Sequence, residues 1–340
     1  MSYKRIRTAQ FSWITRIVEM IKRALVLTCL IPTIASAASF DCDKAHSPIE
    51  KAVCADSVVS ALDSSIATSY TAAMERLSQD GQTILRDGQR QWLRFVRDLC
   101  FAHPDNSGVG FCLTQHYTER LKDLSNAAIS TGPYLFSRSD YFSASTQDEA
   151  GQPYKIHAGA PRIDAPVSPT IALWNSTVAK QAMWVADSGC DSRHGDEYSG
   201  FTVTYASARV ISVRMTDWED CHGTPHGHGG STGLTYLMEP SFHSLEASDL
   251  FVVDTAWKDF LTRRSYDVIE KKADTTQVEL RQVEKAATDI RNWTLTRDGL
   301  LITIEPYAVL AYAFGTTEVI IPWRDLKPFL APNAPIPPQT

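Results

Sequence analysis

The chain is 340 residues long, 44% hydrophobic and 21% charged, which suits about two globular domains and excludes wholesale disorder or a long coiled coil. Its most apolar stretch, Ala24 to Ile34, falls short of the ~20 residues that a membrane-spanning helix needs. A formal charge of −6 and a pI near 5.9 supply no basic field for neutralising phosphates, so no nucleic-acid partner is expected.

Lys22 and Arg23 precede the apolar run, and Ala35-Ser36-Ala37 closes it with the small-residue pattern that a signal peptidase accepts. Residues 1–37 therefore read as an export signal cleaved near Ala37, with a periplasmic or secreted product that has no stable membrane insertion. Cys29 follows Thr28, a poor lipobox, so no lipid anchor is expected. Removing 1–37 leaves 27 basic and 38 acidic residues, a net charge of −11 that favours solubility and attracts cationic partners.

From Ser47 to about Ala128 the pattern is helical. Ser47-Pro48-Ile49-Glu50 is a capping box with proline at the first helical position, opening a short helix to about Cys54. Asp56 can cap a second helix, whose apolar residues Leu62, Ile66, Tyr70, Ala73 and Leu77 recur at helical steps as one buried stripe. Gly81 is expected to interrupt or end it. A third helix turns Leu85, Trp92, Phe95, Val96 and Leu99 inward and Arg90, Arg94 and Arg97 outward. After the loop His103–Gly108, a fourth helix aligns Leu113, Tyr117, Leu121 and Leu124. Residues 38–128 thus read as an all-α helical N-terminal domain.

Character changes beyond Gly132. The segment 129–168 reads as a linker with the first strands of a second domain, which spans 169–330. Gly200–Tyr205, Arg209–Met215, Gly299–Glu305 and Thr317–Ile321 alternate or are β-branched, as strands are. Helices at about 170–185 and 255–270 interrupt them, and a short helix follows at 323–330. The second domain is therefore α+β with a mainly antiparallel sheet. A proline-rich tail, 331–340, is expected to be extended and loosely held.

Six cysteines remain after export: Cys42, Cys54, Cys100, Cys112, Cys190 and Cys221. An even number in an exported chain implies three disulfides, for which fifteen connectivities exist. Their spacing groups them as Cys42 with Cys54, Cys100 with Cys112, and the remaining Cys190 with Cys221. With no C-x-x-C, neither a redox motif nor a thiolate zinc knuckle is indicated.

Several short motifs in order carry a family resemblance: Phe40-Asp41-Cys42, Ser47 to Cys54, Leu62-Asp63, Tyr70, Gln89 to Leu93, Arg97 to Cys100, Cys112-Leu113, Tyr117 and Arg120-Leu121. Over about 38–128 they resemble the N-terminal domain of the LprI-type lysozyme inhibitors. Ser248 to Phe251, Leu300 to Tyr307, Ala311 to Gly315 and Val319 to Lys327 resemble, over about 199–330, the ectodomain of RsiV-type anti-sigma factors, a unit that also accompanies PdaC-type peptidoglycan deacetylases. A weaker preceding module lies at 134–186. The RsiV-type ectodomain is a lysozyme receptor, so both resemblances imply lysozyme or another cell-wall-active enzyme as partner. The chain lacks the sigma-binding segment and the deacetylase domain, so signalling and deacetylation are not implied.

One local cluster invites a chemical reading. His222, His226 and His228 in Cys221–Gly230 could ligate zinc or copper with help from His194, Asp217 or Glu219. The plainer reading is a glycine-rich connection between strands, with glycines at positive φ and solvated histidines. Gly229-Gly230-Ser231-Thr232-Gly233 matches a nucleophile elbow by pattern, but a polar loop precedes it and a strand-like run follows. Asp217, Glu219 and Asp220 are carboxylates of the glycosidase kind in the setting of a solvated strand end. No catalytic residue and no cofactor is assigned. The reading is an exported binding protein that binds or inhibits lysozyme. The alternatives are a metal-binding or enzymatic protein centred on the histidines, or a non-inhibitory peptidoglycan-associated module.

Overall fold

The computed structural model describes residues 38–102, 108–144, 154–185, 195–253, 256–273 and 277–338. The export signal read at 1–37 lies outside them. Among the described residues, no helix is long and apolar enough to cross a membrane.

Four helices open the fold: α1 (Pro48–Ala55), α2 (Ser57–Arg76), α3 (Gln79–Arg97) and α4 (Val109–Ser125). The Ser47 box forms in both directions, with Glu50 N–H donating to Ser47 Oγ at 3.2 Å and Ser47 N–H to Glu50 Oε2 at 2.8 Å. The Ser47 and His46 N–H groups, which both donate to it, hold the Glu50 carboxyl below its usual range. Asp56 caps α2 through Val58 N–H at 2.8 Å. Disulfides Cys42–Cys54 and Cys100–Cys112 fasten α1 and the α3–α4 connection.

Gly81 does not break a helix. α2 ends at Arg76, Ser78 caps α3, and Gly81 is buried in the first turn of α3. Its missing side chain makes room for Asp164, since a Cβ at position 81 would stand 2.3 Å from Asp164 Oδ1. Asp164 is held there by Ser78 N–H at 2.6 Å, Ser78 Oγ at 2.7 Å and Arg162 at 2.8 Å. Gly81→Ala should therefore destabilise by roughly 1–3 kcal/mol by overpacking, although alanine is the better helix former by about 1 kcal/mol. A urea midpoint that rises would contradict this origin for the glycine.

The stretch that follows supplies β1 (Ala128–Thr131), β2 (Tyr134–Ala144) and β3 (Lys155–Ala165). Helix α5 (Pro169–Val185) crosses over to β4 (Gly195–Ala206), and β5 (Val210–Cys221), β6 (His228–Leu237) and β7 (His243–Ser244) complete a seven-stranded sheet in sequential order. Only the β3–β4 pair is parallel, as the α5 crossover requires, and the other neighbours are antiparallel. After α6 (Ala247–Leu250), α7 (Trp257–Ala273) and α8 (Leu280–Thr288), strands β8 (Trp293–Leu295), β9 (Gly299–Ile304) and β10 (Thr317–Pro322) form an antiparallel three-stranded sheet, and α9 (Trp323–Leu326) follows. The fold class is thus a helical N-terminal region stapled by disulfides and an α+β C-terminal region.

Three cores result. Val53, Ile66, Leu85, Trp92, Phe95, Leu113 and Tyr117 fill the helical one, which also takes in Phe142 of β2. Phe136, Ile163, Trp174, Val178, Ile211 and Met215 join α5 to the large sheet. Leu261, Ile269, Val283, Trp293, Leu300, Ile302 and Trp323 unite α7, α8 and the small sheet. The proline-rich tail returns to this last core instead of hanging loose. Ala331 N–H donates to Leu250 O at 2.8 Å, Arg209 Nη2 to Asn333 O at 2.7 Å, and Ile336 packs inward.

Candidate functional site

The helical region carries an open groove of about 540 Å³ bounded by the segment before α1 and by α1, α2, α3 and α4. Phe40, Ile49, Tyr70, Trp92 and Tyr117 give it apolar walls, and Glu50, Asp63, Arg94 and Arg97 give it charge at the rim. Trp92 and Tyr117 pack edge to face at 5.0 Å and are core residues, as their sequence positions imply. Burial, with the Asp63 charge second, pushes the Tyr117 phenol up, so its hydroxyl stays protonated.

The arginines expected on the outer face separate here. Arg90 pairs with Asp87 at 3.7 Å and Arg97 with Asp98 at 2.8 Å, whereas Arg94 has no ion-pair partner among the described residues. Beside it Leu93 is 43% exposed, an apolar side chain out of register with the buried stripe of α3. That mismatch was visible in the spacing, and the stripe itself obscured it.

Most of the residues that line this groove also carry the first family resemblance. Residues 42–124 match the family described as lysozyme inhibitor LprI. Residues 248–324 match a second family, described as a protein of unknown function, DUF3298. No curated protein matches the chain. Among solved structures, a DUF3298 family protein from Pseudomonas aeruginosa is 14% identical with a TM-score of 0.45, covering 61% of this chain and 98% of its own. A DUF3298 member from Bacteroides fragilis is 16% identical with a TM-score of 0.41, covering 60% and 96%. The disulfides of the LprI region fit an oxidising, extracytoplasmic compartment.

The LprI region is bolted to the large sheet by buried charge. Arg120 of α4 reaches Asp140 of β2 at 2.6 Å, Arg138 of β2 reaches Asp140 at 2.6 Å and Asp123 of α4 at 3.0 Å, and His157 of β3 stands 3.2 Å from Asp123. Arg138, Asp140 and Phe142 alternate along β2, so all three face the helices. Next to this network, a cleft of about 430 Å³ between α4 and β3–β5 holds His116, Glu119, Lys155, His157 and Tyr198. His116 Nδ1 lies 3.1 Å from Glu119. The grouping of Cys100, Cys112 and His116 offers no thiolate to a metal, because its two sulfurs are bonded to each other.

The histidines of the Cys221–Gly230 segment diverge. His222 points to Asp196 at 3.8 Å, His226 stacks on Tyr312 at 4.4 Å between ring centres, and His228 pairs with Glu219. Among the described residues they form no common metal site, and His194 lies outside those residues. Cys221 is disulfide-bonded, while Cys190, its expected partner, also lies outside them.

The glycines here serve packing more than positive φ, which only Gly223 of the segment adopts. A Cβ at Gly227 would stand 2.5 Å from the Trp218 indole, and one at Gly229 would stand 3.0 Å from it. Trp218 and Gly229 are cross-strand partners, so the indole lies across a glycine floor with 44% of the residue exposed. Ser231 is no nucleophile elbow. It sits inside β6, with no helix after it, and donates to Glu305 Oε1 at 2.7 Å. Asp217 does feel a second carboxylate, but from Glu305, just beyond β9. Burial first, then the Glu305 and Glu219 charges, raise its carboxyl above the usual range.

Proposed function

We propose that the mature protein is an exported, periplasmic or secreted envelope protein that binds and inhibits lysozyme or a related cell-wall hydrolase. The match of 42–124 to the lysozyme inhibitor LprI family carries this reading. The groove is its contact surface: Leu93 supplies an exposed apolar anchor, Arg94 a charge with no ion-pair partner among the described residues, and Tyr70 a phenol group at an apolar wall. Inhibition is steric, by covering the cleft in which the enzyme holds its glycan. The net charge of the mature chain, mostly contributed downstream of the helices, speeds encounter with a basic enzyme.

Titrating the oxidised chain 38–340 into lysozymes of several classes, while following lysis of cell walls, tests this directly. Submicromolar binding with loss of lysis is the expected result. Leu93→Asp should weaken binding by at least tenfold and leave the unfolding midpoint nearly unchanged, since the side chain is on the surface. Absence of binding to every class sinks the proposal, and unaltered binding by Leu93→Asp moves the contact away from the groove.

A further inference from the structure

A cleft of about 630 Å³ lies outside the LprI region, where β5 and β6 of the large sheet meet β9 and β10 of the small one. That volume is in the range of small-ligand sites. Its surfaces differ in chemistry. Trp218, seated on Gly227 and Gly229, offers a fixed aromatic face on one side. Tyr312 continues the aromatic wall, stacked between His226 at 4.4 Å and Tyr307 at 5.9 Å. Tyr307 is the sole non-glycine described residue at positive φ, 67°, and is 67% exposed. A strained backbone that holds an aromatic ring in solvent is a common mark of a binding site.

The polar lining mixes acceptors and donors. Asp217 and Glu305 carry acceptor oxygens, and Glu305 is aimed by Ser231 at 2.7 Å and Thr316 at 2.8 Å. Arg214 is ion-paired to Glu318 but leaves its Nε without a hydrogen-bond partner among the described residues. Thr303, only 3% exposed, lines the cleft from β9 with its Oγ1 likewise unpartnered. A buried hydroxyl and a guanidinium N–H without partners cost free energy that a ligand can recover.

We propose that the cleft between the two sheets binds a glycan, with a pyranose ring stacked on Trp218 and its hydroxyls bonded to Glu305, Thr303 and Arg214. A sugar hydroxyl both donates and accepts, so one polyol can serve the carboxylates and the unpartnered donors together. Its C–H face, lightly positive, suits the negative face of an indole. A purely cationic ligand would match the carboxylates and leave the Arg214 donor unused. This site is independent of the helical groove, so wall glycan and enzyme can be held by one chain.

Calorimetric or NMR titration of the mature chain with chitotetraose and, separately, cellotetraose decides the matter. Saturable binding of either is expected, and a preference for the first means that the acetamido group is read. Trp218→Ala and Glu305→Gln should each weaken it at least tenfold, with Trp218→Phe retaining part of it. Trp218 is 44% exposed and Glu305 is half-buried, and an unchanged unfolding midpoint checks that each variant is folded. No binding of either sugar at about 10 mM, binding that survives Trp218→Ala, or binding of N-acetylargininamide in their place would each overturn the assignment. Lysozyme binding is read in the same preparations and does not enter this outcome.

Discussion

Asp140→Ala is expected to destabilise the protein by about 3–5 kcal/mol, the effect typical of removing one partner from a buried ion pair. Arg120 is wholly buried and would keep only Gln89, which accepts from its Nε at 3.0 Å, in place of a counter-charge. Arg138 would fall back on Asp123. The measurement is the urea midpoint at pH 7, with the m-value as a check that the transition stays two-state. Replacing Arg120 and Asp140 together by apolar residues should cost less than Asp140→Ala alone, because no uncompensated charge is left in the core.

Acid should reproduce part of that loss. Burial alone would raise the Asp140 carboxyl, but the Arg138 and Arg120 guanidinium groups outweigh it and hold it well below the usual carboxylate range. A group with a depressed folded-state pKa contributes stability that is present above its unfolded value, about 4, and is lost as pH falls toward its folded value. Stability of the wild-type chain should therefore decline steadily below about pH 4. The decline should be shallower in the doubly apolar variant. Equal slopes in the two proteins would mean that other carboxylates dominate acid unfolding.

Gly233→Ala carries the second large effect. A Cβ at position 233 would stand 1.9 Å from the carbonyl oxygen of Trp293 and 2.8 Å from its carbon. The obstacle is backbone of β8, so no side chain can swing aside, and β6 and β8 must separate where Trp293 enters the third core. A loss of about 3 kcal/mol is expected, against a gain below 1 kcal/mol from a stiffer unfolded chain. Ser231→Ala, two residues away, should cost only about 1 kcal/mol for its hydrogen bond to Glu305. Similar losses at both positions would contradict the packing role given to Gly233.

That contrast shows where sequence reading reached its limit. Helices α1 to α4 were legible because caps and apolar stripes are local: Ser47 with Glu50, Asp56, and the steps from Leu62 to Leu77 need no knowledge of the rest of the chain. Strands β4, β5, β9 and β10 were legible by alternation or β-branching, whereas 129–168 read only as a linker with first strands and β7 and β8 were not seen. The glycines were not, because Gly81 answers to Asp164, Gly229 to Trp218 and Gly233 to Trp293, and such approaches across the fold leave no trace in spacing. The same holds for the clefts. Asp217 was noticed beside Glu219 and Asp220, yet its working neighbour Glu305 comes from just beyond β9. Arg120, Arg138, Asp123 and Asp140 carry no local pattern that marks a buried network, which exists only once helix and strand are docked.

Strand β2 is a wall shared by two rooms. Phe136 near its start belongs to the core under α5, and Phe142 near its end to the core of the helices. Neither core can open without stripping apolar cover from this strand, so the amide protons of β2 should exchange with solvent only through global unfolding. The helical region is then no cassette to be cut away or grafted onto another protein unchanged. A graft that stopped at residue 128 would leave Arg120 and the face normally covered by Phe142 open to water, and would need a substitute for that strand.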